Sequence, residues 1–152
     1  MSLKEKLQAD LTNAIRERDE VTSSTIRMIL TSIRNEEVAG KEAKELSDAE
    51  VITVLSREAK KRREAAEAFD AAKALDRAAV ERAEGAVIAL YLPQQLSETE
   101  IKNLIEAAMK ETGASAPNQM GLVMKVLQPK ISGRADGAMV SSLVKQALSG
   151  GN

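Results

Sequence analysis

Hydrophobic residues recur along this chain at the spacing of α-helices. Leu3, Leu7, Leu11 and Ile15 are four residues apart, which places them on one face of a helix. Six comparable stripes follow, and they start at Ile26, Val51, Val80, Ile101, Met120 and Met139. No stretch alternates between polar and apolar residues as a half-buried strand does. The pattern therefore predicts an all-α protein.

Two copies of the same N-terminal capping motif mark the starts of two predicted helices. Ser47 with Glu50, and Ser97 with Glu100, have the spacing of a capping box, in which both side chains satisfy free backbone amides. Leu46 with Val51, and Leu96 with Ile101, occupy the positions of a hydrophobic staple around each box. Further caps are expected at Asp19 and Asp136 and a helix stop at Gly113.

The three prolines divide the chain. Pro93 is expected to stop the fourth helix, Pro117 to lie in the first turn of the sixth, and Pro129 to end it. We therefore predict two small helical domains. About four helices in residues 1–93 precede a three-helix bundle in residues 96–152.

The composition excludes several classes of chemistry. The 152 residues contain no Cys and no His, so disulfides, thiol nucleophiles and the commonest general base are absent. Phe69 and Tyr91 are the only aromatic residues, too few for a surface that stacks unpaired bases. No catalytic residue, metal site or cofactor is predicted. The polar start and short apolar runs suggest a cytoplasmic protein without membrane contact.

Charge is balanced overall but not locally. The chain has 22 basic and 23 acidic residues, whereas residues 117–152 have four basic residues against one acid. The basic residues of this segment are Lys125, Lys130, Arg134 and Lys145. The first three flank a predicted turn, and we interpret them as a candidate phosphate site. Gly121, Gly133 and Asp136 belong to the same motif, with Gly133 as turn glycine and Asp136 as helix cap.

Two other motifs have simpler interpretations. The run Lys60–Arg63 lies among acidic residues at helical spacing, which is typical of a solvated helix face. Ser142 and Lys145 match the S-x-x-K pattern of acylating enzymes, but the other elements of such sites are missing. We expect an ordinary pair on a helix surface.

These segments together resemble the YqeY-like family, whose homology extends to the tail of GatB, a subunit of the tRNA-dependent amidotransferase. The matching stretches are Lys61-Arg62-Arg63-Glu64, Glu67-Ala68-Phe69, Tyr91-Leu92-Pro93, Gln95-Leu96 and Met120-Gly121 through Asp136. The chain departs from the family pattern at Lys73-Ala74 and Gly85-Ala86. The resemblance implies an all-α fold of two helical domains.

The resemblance also implies a function near tRNA. In GatB the similar tail contacts tRNA, while amide transfer takes place on other domains and on a separate glutaminase subunit. Three hypotheses follow: a non-catalytic module associated with tRNA or a tRNA-dependent enzyme, a protein-interaction adaptor without RNA contact, and a freestanding amidotransferase. The last corresponds to carbon–nitrogen ligase activity with glutamine as amido donor, and the sequence offers no nucleophile for it.

Overall fold

Seven α-helices and one short 3₁₀ helix make up residues 1–150, the part of the chain that the structure, a computed structural model, describes. Within these residues there is no strand, so the prediction of an all-α protein is confirmed. The α-helices are α1 (Leu3–Arg16), α2 (Glu20–Val38), α3 (Asp48–Ala71), α4 (Leu75–Ala89), α5 (Glu98–Thr112), α6 (Met120–Ile131) and α7 (Gly137–Leu148). The 3₁₀ helix is Pro117–Gln119.

The chain forms two compact units, Met1–Leu92 and Pro93–Asn152. In the first unit, the apolar faces of α1 to α4 meet in one core. Its fully buried side chains include Leu7, Ile26, Ile29, Leu55 and Ile88. Each recurs at helical spacing with other apolar residues of its helix, which explains why these segments fold as amphipathic helices.

A buried carboxylate joins three elements of the first unit. Glu37, near the end of α2, is only 8% exposed. Its oxygens accept hydrogen bonds from Lys4 Nζ at 2.8 and 3.0 Å and from the backbone N–H of Leu46 at 3.1 Å. The Lys4 ammonium and, next, the Leu46 amide hold the pKa of Glu37 below its usual value. We call this arrangement the Glu37 clasp.

The C-terminal end of the first unit is tied back to α1. The Tyr91 hydroxyl donates a 2.6 Å hydrogen bond to the Asp10 carboxylate, which also accepts from Lys6 Nζ at 2.8 Å. The Lys6 ammonium lies 5.2 Å from the centre of the Tyr91 ring, within the range of a cation–π contact. Burial and the Asp10 charge raise the pKa of Tyr91, so its hydroxyl remains a donor.

The second unit has its own core between α5, α6 and α7. Fully buried side chains of this core include Val123, Leu127, Val140 and Val144. Met120 and Met124 are half-buried and pack against it. No helix within residues 1–150 is both long and apolar enough to cross a bilayer.

Most predicted helix ends are confirmed. Ser47 makes the complete capping box with Glu50, whereas Ser97 accepts from the Glu100 N–H without the reciprocal bond. The Asp19 carboxylate caps α2. Gly113 follows α5 in the left-handed conformation, with φ of 71°.

Two details of the helix prediction are wrong. Pro129 lies inside α6, and the helix continues to Ile131. A proline in the last turn removes only one helical hydrogen bond, and Ser132 N–H still bonds to the carbonyl of Gln128. Val80, predicted on the apolar face of α4, is 57% exposed, because the buried face of that helix is formed instead by Ala78, Val87 and Ile88.

Replacing either capping serine should destabilise the protein. Ser47→Ala and Ser97→Ala each leave a helix amide unpaired, so we expect each to lower the free energy of unfolding by about 1 kcal/mol. Denaturant titration measures this difference. Ser142→Ala is a suitable control, because the Ser142 side chain is exposed in α7. Unchanged midpoints in both cap variants would contradict the assigned helix starts.

The Glu37 clasp predicts a pH dependence of stability. Because folding lowers the pKa of Glu37, its contribution is fully present above the unfolded value of 4.5 and is lost as the pH falls through the folded value. Glu37→Gln should therefore be less stable than wild type at neutral pH and converge with it in acid. Denaturant titration across this pH range tests the prediction. Glu45→Gln, at an exposed position in the same loop, should follow the wild-type curve.

Candidate nucleic-acid interface

The predicted phosphate site is spread over α6 and the turn before α7. Lys125 and Lys130 lie on α6, and both side chains are exposed. Neither forms an ion pair or hydrogen bond with another residue of the described part of the chain. Five residues along an α-helix correspond to a rotation of about 140°. The two lysines therefore point to different sides of α6 and do not form a single stripe.

Arg134 has a structural role that its sequence context did not reveal. Its Nε donates a 3.1 Å hydrogen bond to the carbonyl of Gln94, and its own carbonyl accepts from Leu96 N–H at 2.8 Å. Gln95 Nε2 donates to the carbonyl of Gly133 at 2.9 Å. We call these three bonds the 94–96 clip, since they hold residues 94–96 against the turn that follows α6. Arg134 is therefore half-buried and positioned by backbone contacts.

The three other residues of the motif have distinct roles. Gly133 adopts a φ of 72°, which confirms that the turn needs a glycine. The Asp136 carboxylate accepts a 3.1 Å hydrogen bond from Ala138 N–H and caps α7 as expected. Gly121 lies at the start of helix α6 and not in the connection between α6 and α7. A Cβ there would meet no atom within 4 Å.

Lys145 is a further exposed cation of the second unit. Sequence reasoning counted it in the charge of residues 117–152 but left it out of the candidate site. The structure places it on α7 with an exposed side chain and no ion pair within the described residues. Lys125, Lys130 and Lys145, which we call the lysine set, are thus three exposed cations on two helices. The excess of charge over the whole segment was the signal that could have included Lys145.

The basic run on α3 is solvated, as its pattern indicated, except at Arg62. Arg62 has a side chain only 18% exposed, and it forms ion pairs with Glu58 at 3.4 Å and with Glu84 at 3.0 Å. Lys61 pairs with the same buried Glu58 at 3.3 Å. The partly buried pair of Arg62 with Glu84 therefore joins this part of α3 to α4.

The remaining chemical candidates do not form a reactive site. Ser142 and Lys145 are both exposed on α7, and no hydrogen bond joins their side chains. Within residues 1–150, no group of three or more His, Cys, Asp or Glu side chains is arranged to hold a metal ion.

Fold and site together define an all-α protein of two helical units with a lysine-bearing surface on the second. A family model described as Yqey-like protein matches residues 4–148. The chain is also similar to "Altered inheritance of mitochondria protein 41, mitochondrial" from Pyrenophora tritici-repentis (strain Pt-1C-BFP). The two are 32% identical over 150 residues, which covers 94% of this chain and 79% of the relative. The chain belongs to the YqeY-like family.

Two glycine substitutions with opposite expected effects test the geometry of the turn. Gly133→Ala places a Cβ at a positive φ and should cost about 1 to 2 kcal/mol of unfolding free energy. Gly121→Ala lies in a helix with open space around it and should stabilise the protein by up to about 1 kcal/mol. Denaturant titration of both variants against wild type measures the two effects. A stabilising Gly133→Ala would contradict the left-handed turn.

Proposed function

We propose that this YqeY-like chain is a non-catalytic module that binds tRNA through the lysine set and is associated with tRNA-dependent amidation or aminoacylation. One observation carries the proposal. The segment 117–150 exposes Lys125, Lys130 and Lys145, and its single acidic residue, Asp136, is engaged as a helix cap. These cations therefore have no acidic partner within the described residues and remain available to an anionic ligand.

The arrangement favours the phosphodiester backbone of a nucleic acid over a small anion. The two lysines of α6 point to different sides of the helix, and Lys145 lies on a second helix. Lys125 and Lys130 therefore do not converge on one small anion as a bidentate clamp would. Separated point charges suit the evenly spaced phosphates of a nucleic acid, where each contact releases a counterion and positions the ligand without reading its sequence.

The choice of tRNA rests on the resemblance to the tail of GatB. The segments most similar to that tail are Val123-Met124-Lys125 and Gly133-Arg134-Ala135-Asp136. They contain one member of the lysine set and the turn that positions α7. A cytoplasmic location is part of this proposal, although the name of the Pyrenophora relative places that protein in mitochondria.

The proposal assigns no catalytic step to the chain itself. Amide transfer from glutamine requires a nucleophile and a base in contact, and the one candidate pair, Ser142 with Lys145, is exposed and not hydrogen-bonded. Any link to carbon–nitrogen ligase activity would therefore pass through a partner enzyme that supplies the chemistry.

Replacing the lysine set should weaken tRNA binding in a salt-dependent way. In Lys125→Ala/Lys130→Ala/Lys145→Ala, each lost phosphate contact should reduce the slope of log K against log salt concentration by about 0.7 to 0.9. The loss should be similar for different tRNA sequences, because phosphates carry no sequence information. Titration of labelled tRNA at several salt concentrations measures both quantities. Arg134 is left in place, because removing it would break the 94–96 clip.

The matched control removes three exposed basic residues from the first unit. Arg16→Ala/Arg27→Ala/Lys41→Ala changes the net charge by the same amount and should keep the wild-type slope. Equal losses in the two variants would show that binding depends on net charge and not on the lysine set. Failure of wild type to bind tRNA at low salt would remove the RNA proposal and favour the adaptor alternative.

A further inference from the structure

The second unit carries a groove between α5 and α7 that lies away from Lys125 and Lys130. Its volume is about 690 Å³. The apolar lining includes Ile105 and Met109 from α5 and Leu143 and Ala147 from α7. Met109, Leu143 and Ala147 are only partly buried within the unit. The groove thus leaves apolar surface open between two helices, a form that accepts another helix.

A row of alternating charges runs along the α5 side of this groove. Glu98, Lys102, Glu106 and Lys110 are spaced four residues apart, and the last three line the groove. Glu98 pairs with Lys102 at 3.2 Å and Glu106 with Lys110 at 3.3 Å. All four side chains are more than half exposed, so these pairs contribute little within one chain and can exchange partners.

The charge row on α5 is complementary to the same row on a second, antiparallel copy of α5. When two copies of α5 run antiparallel, Glu98 faces Lys110 of the other copy and Lys102 faces Glu106 of the other copy, which gives four opposite-charge pairs. A shift of one helical turn in either direction sets like charges against each other, and so does a parallel arrangement in register. A parallel pair offset by one turn would match opposite charges, but it has no two-fold symmetry and does not form a closed dimer. Like charges across an interface are unfavourable, so the row specifies both orientation and register.

We propose that a second copy of this chain occupies the groove. The two α5 helices run antiparallel about a two-fold axis that passes between Lys102 and Glu106, and each packs between α5 and α7 of the other copy. Such an interface is isologous, because each copy uses the same surface and the contacts repeat by symmetry. Met109, Leu143 and Ala147 from both copies are buried at its centre, and the charge rows flank them.

Charge exchange along α5 tests the proposal. Glu98→Lys/Glu106→Lys makes the row entirely basic, and Lys102→Glu/Lys110→Glu makes it entirely acidic. We expect wild type to show twice the chain mass in sedimentation velocity at high chain concentration. Each charge variant alone should show the mass of a single chain. An equimolar mixture of the two variants should recover the doubled mass as a heterodimer.

The four-site exchange Glu98→Lys/Lys102→Glu/Glu106→Lys/Lys110→Glu distinguishes loss of the interface from loss of folding. It restores the alternating row in reversed polarity and should dimerise like wild type. Circular dichroism confirms that the helices persist in each variant. A wild type that remains a single chain at every concentration overturns the proposal. Doubled mass in both single-sign variants, or no heterodimer on mixing, also overturns it.

A second pair of variants tests whether the groove itself is covered. Gln146 is exposed on α7 and lines the groove, so Gln146→Trp places a bulky ring in the space assigned to the second copy. We expect it to reduce the dimer fraction. Gln128→Trp makes the same change at an exposed position of α6 outside the groove and should leave the dimer fraction unchanged. Equal dimer fractions in the two variants would exclude the groove as the interface.

Discussion

The buried carboxylate of Glu37 joins α1, α2 and the segment before α3 in the first unit. Glu37 is desolvated, and an ionised carboxylate in that position is stable only when it is fully hydrogen-bonded. Its two partners come from α1 and from the residue just before the cap of α3. The same bond that satisfies the charge therefore places Leu46 in the core, where it packs with Val51 at the start of α3.

In the second unit, hydrogen bonds between residues 94–96 and the turn after α6 hold the start of α5 in place. Residues 94–96 precede α5, and the 94–96 clip pairs the Gln94 carbonyl and the Leu96 N–H with Arg134 in the turn after α6. The clip requires the turn to reverse direction at Gly133, where the positive φ is available at low cost. Arg134 is thus held by the contacts that fix the helix start, and this explains why it is less available to a ligand than the lysines.

Sequence patterns were sufficient for the helices and their caps because these depend on residues within a few positions of one another. Ser47 and Glu50, or Asp136 and Ala138, find each other wherever the helix lies. The positions of Arg62 and Arg134 could not be predicted in this way. Their partners, Glu84 and Gln94, are distant in sequence and come close only after folding. The prediction that Val80 is buried was wrong for a related reason. The face of α4 that is buried depends on its packing against α3 and α2, which come into contact with α4 only in the folded protein.

The two surfaces proposed for the second unit support one another physically. Dimerisation through α5 would leave Lys125 and Lys130 uncovered on α6, so a dimer would present two copies of the lysine set. Binding of one RNA molecule by both copies would raise affinity without any new contact, provided that the spacing of the two sets matches the phosphate track.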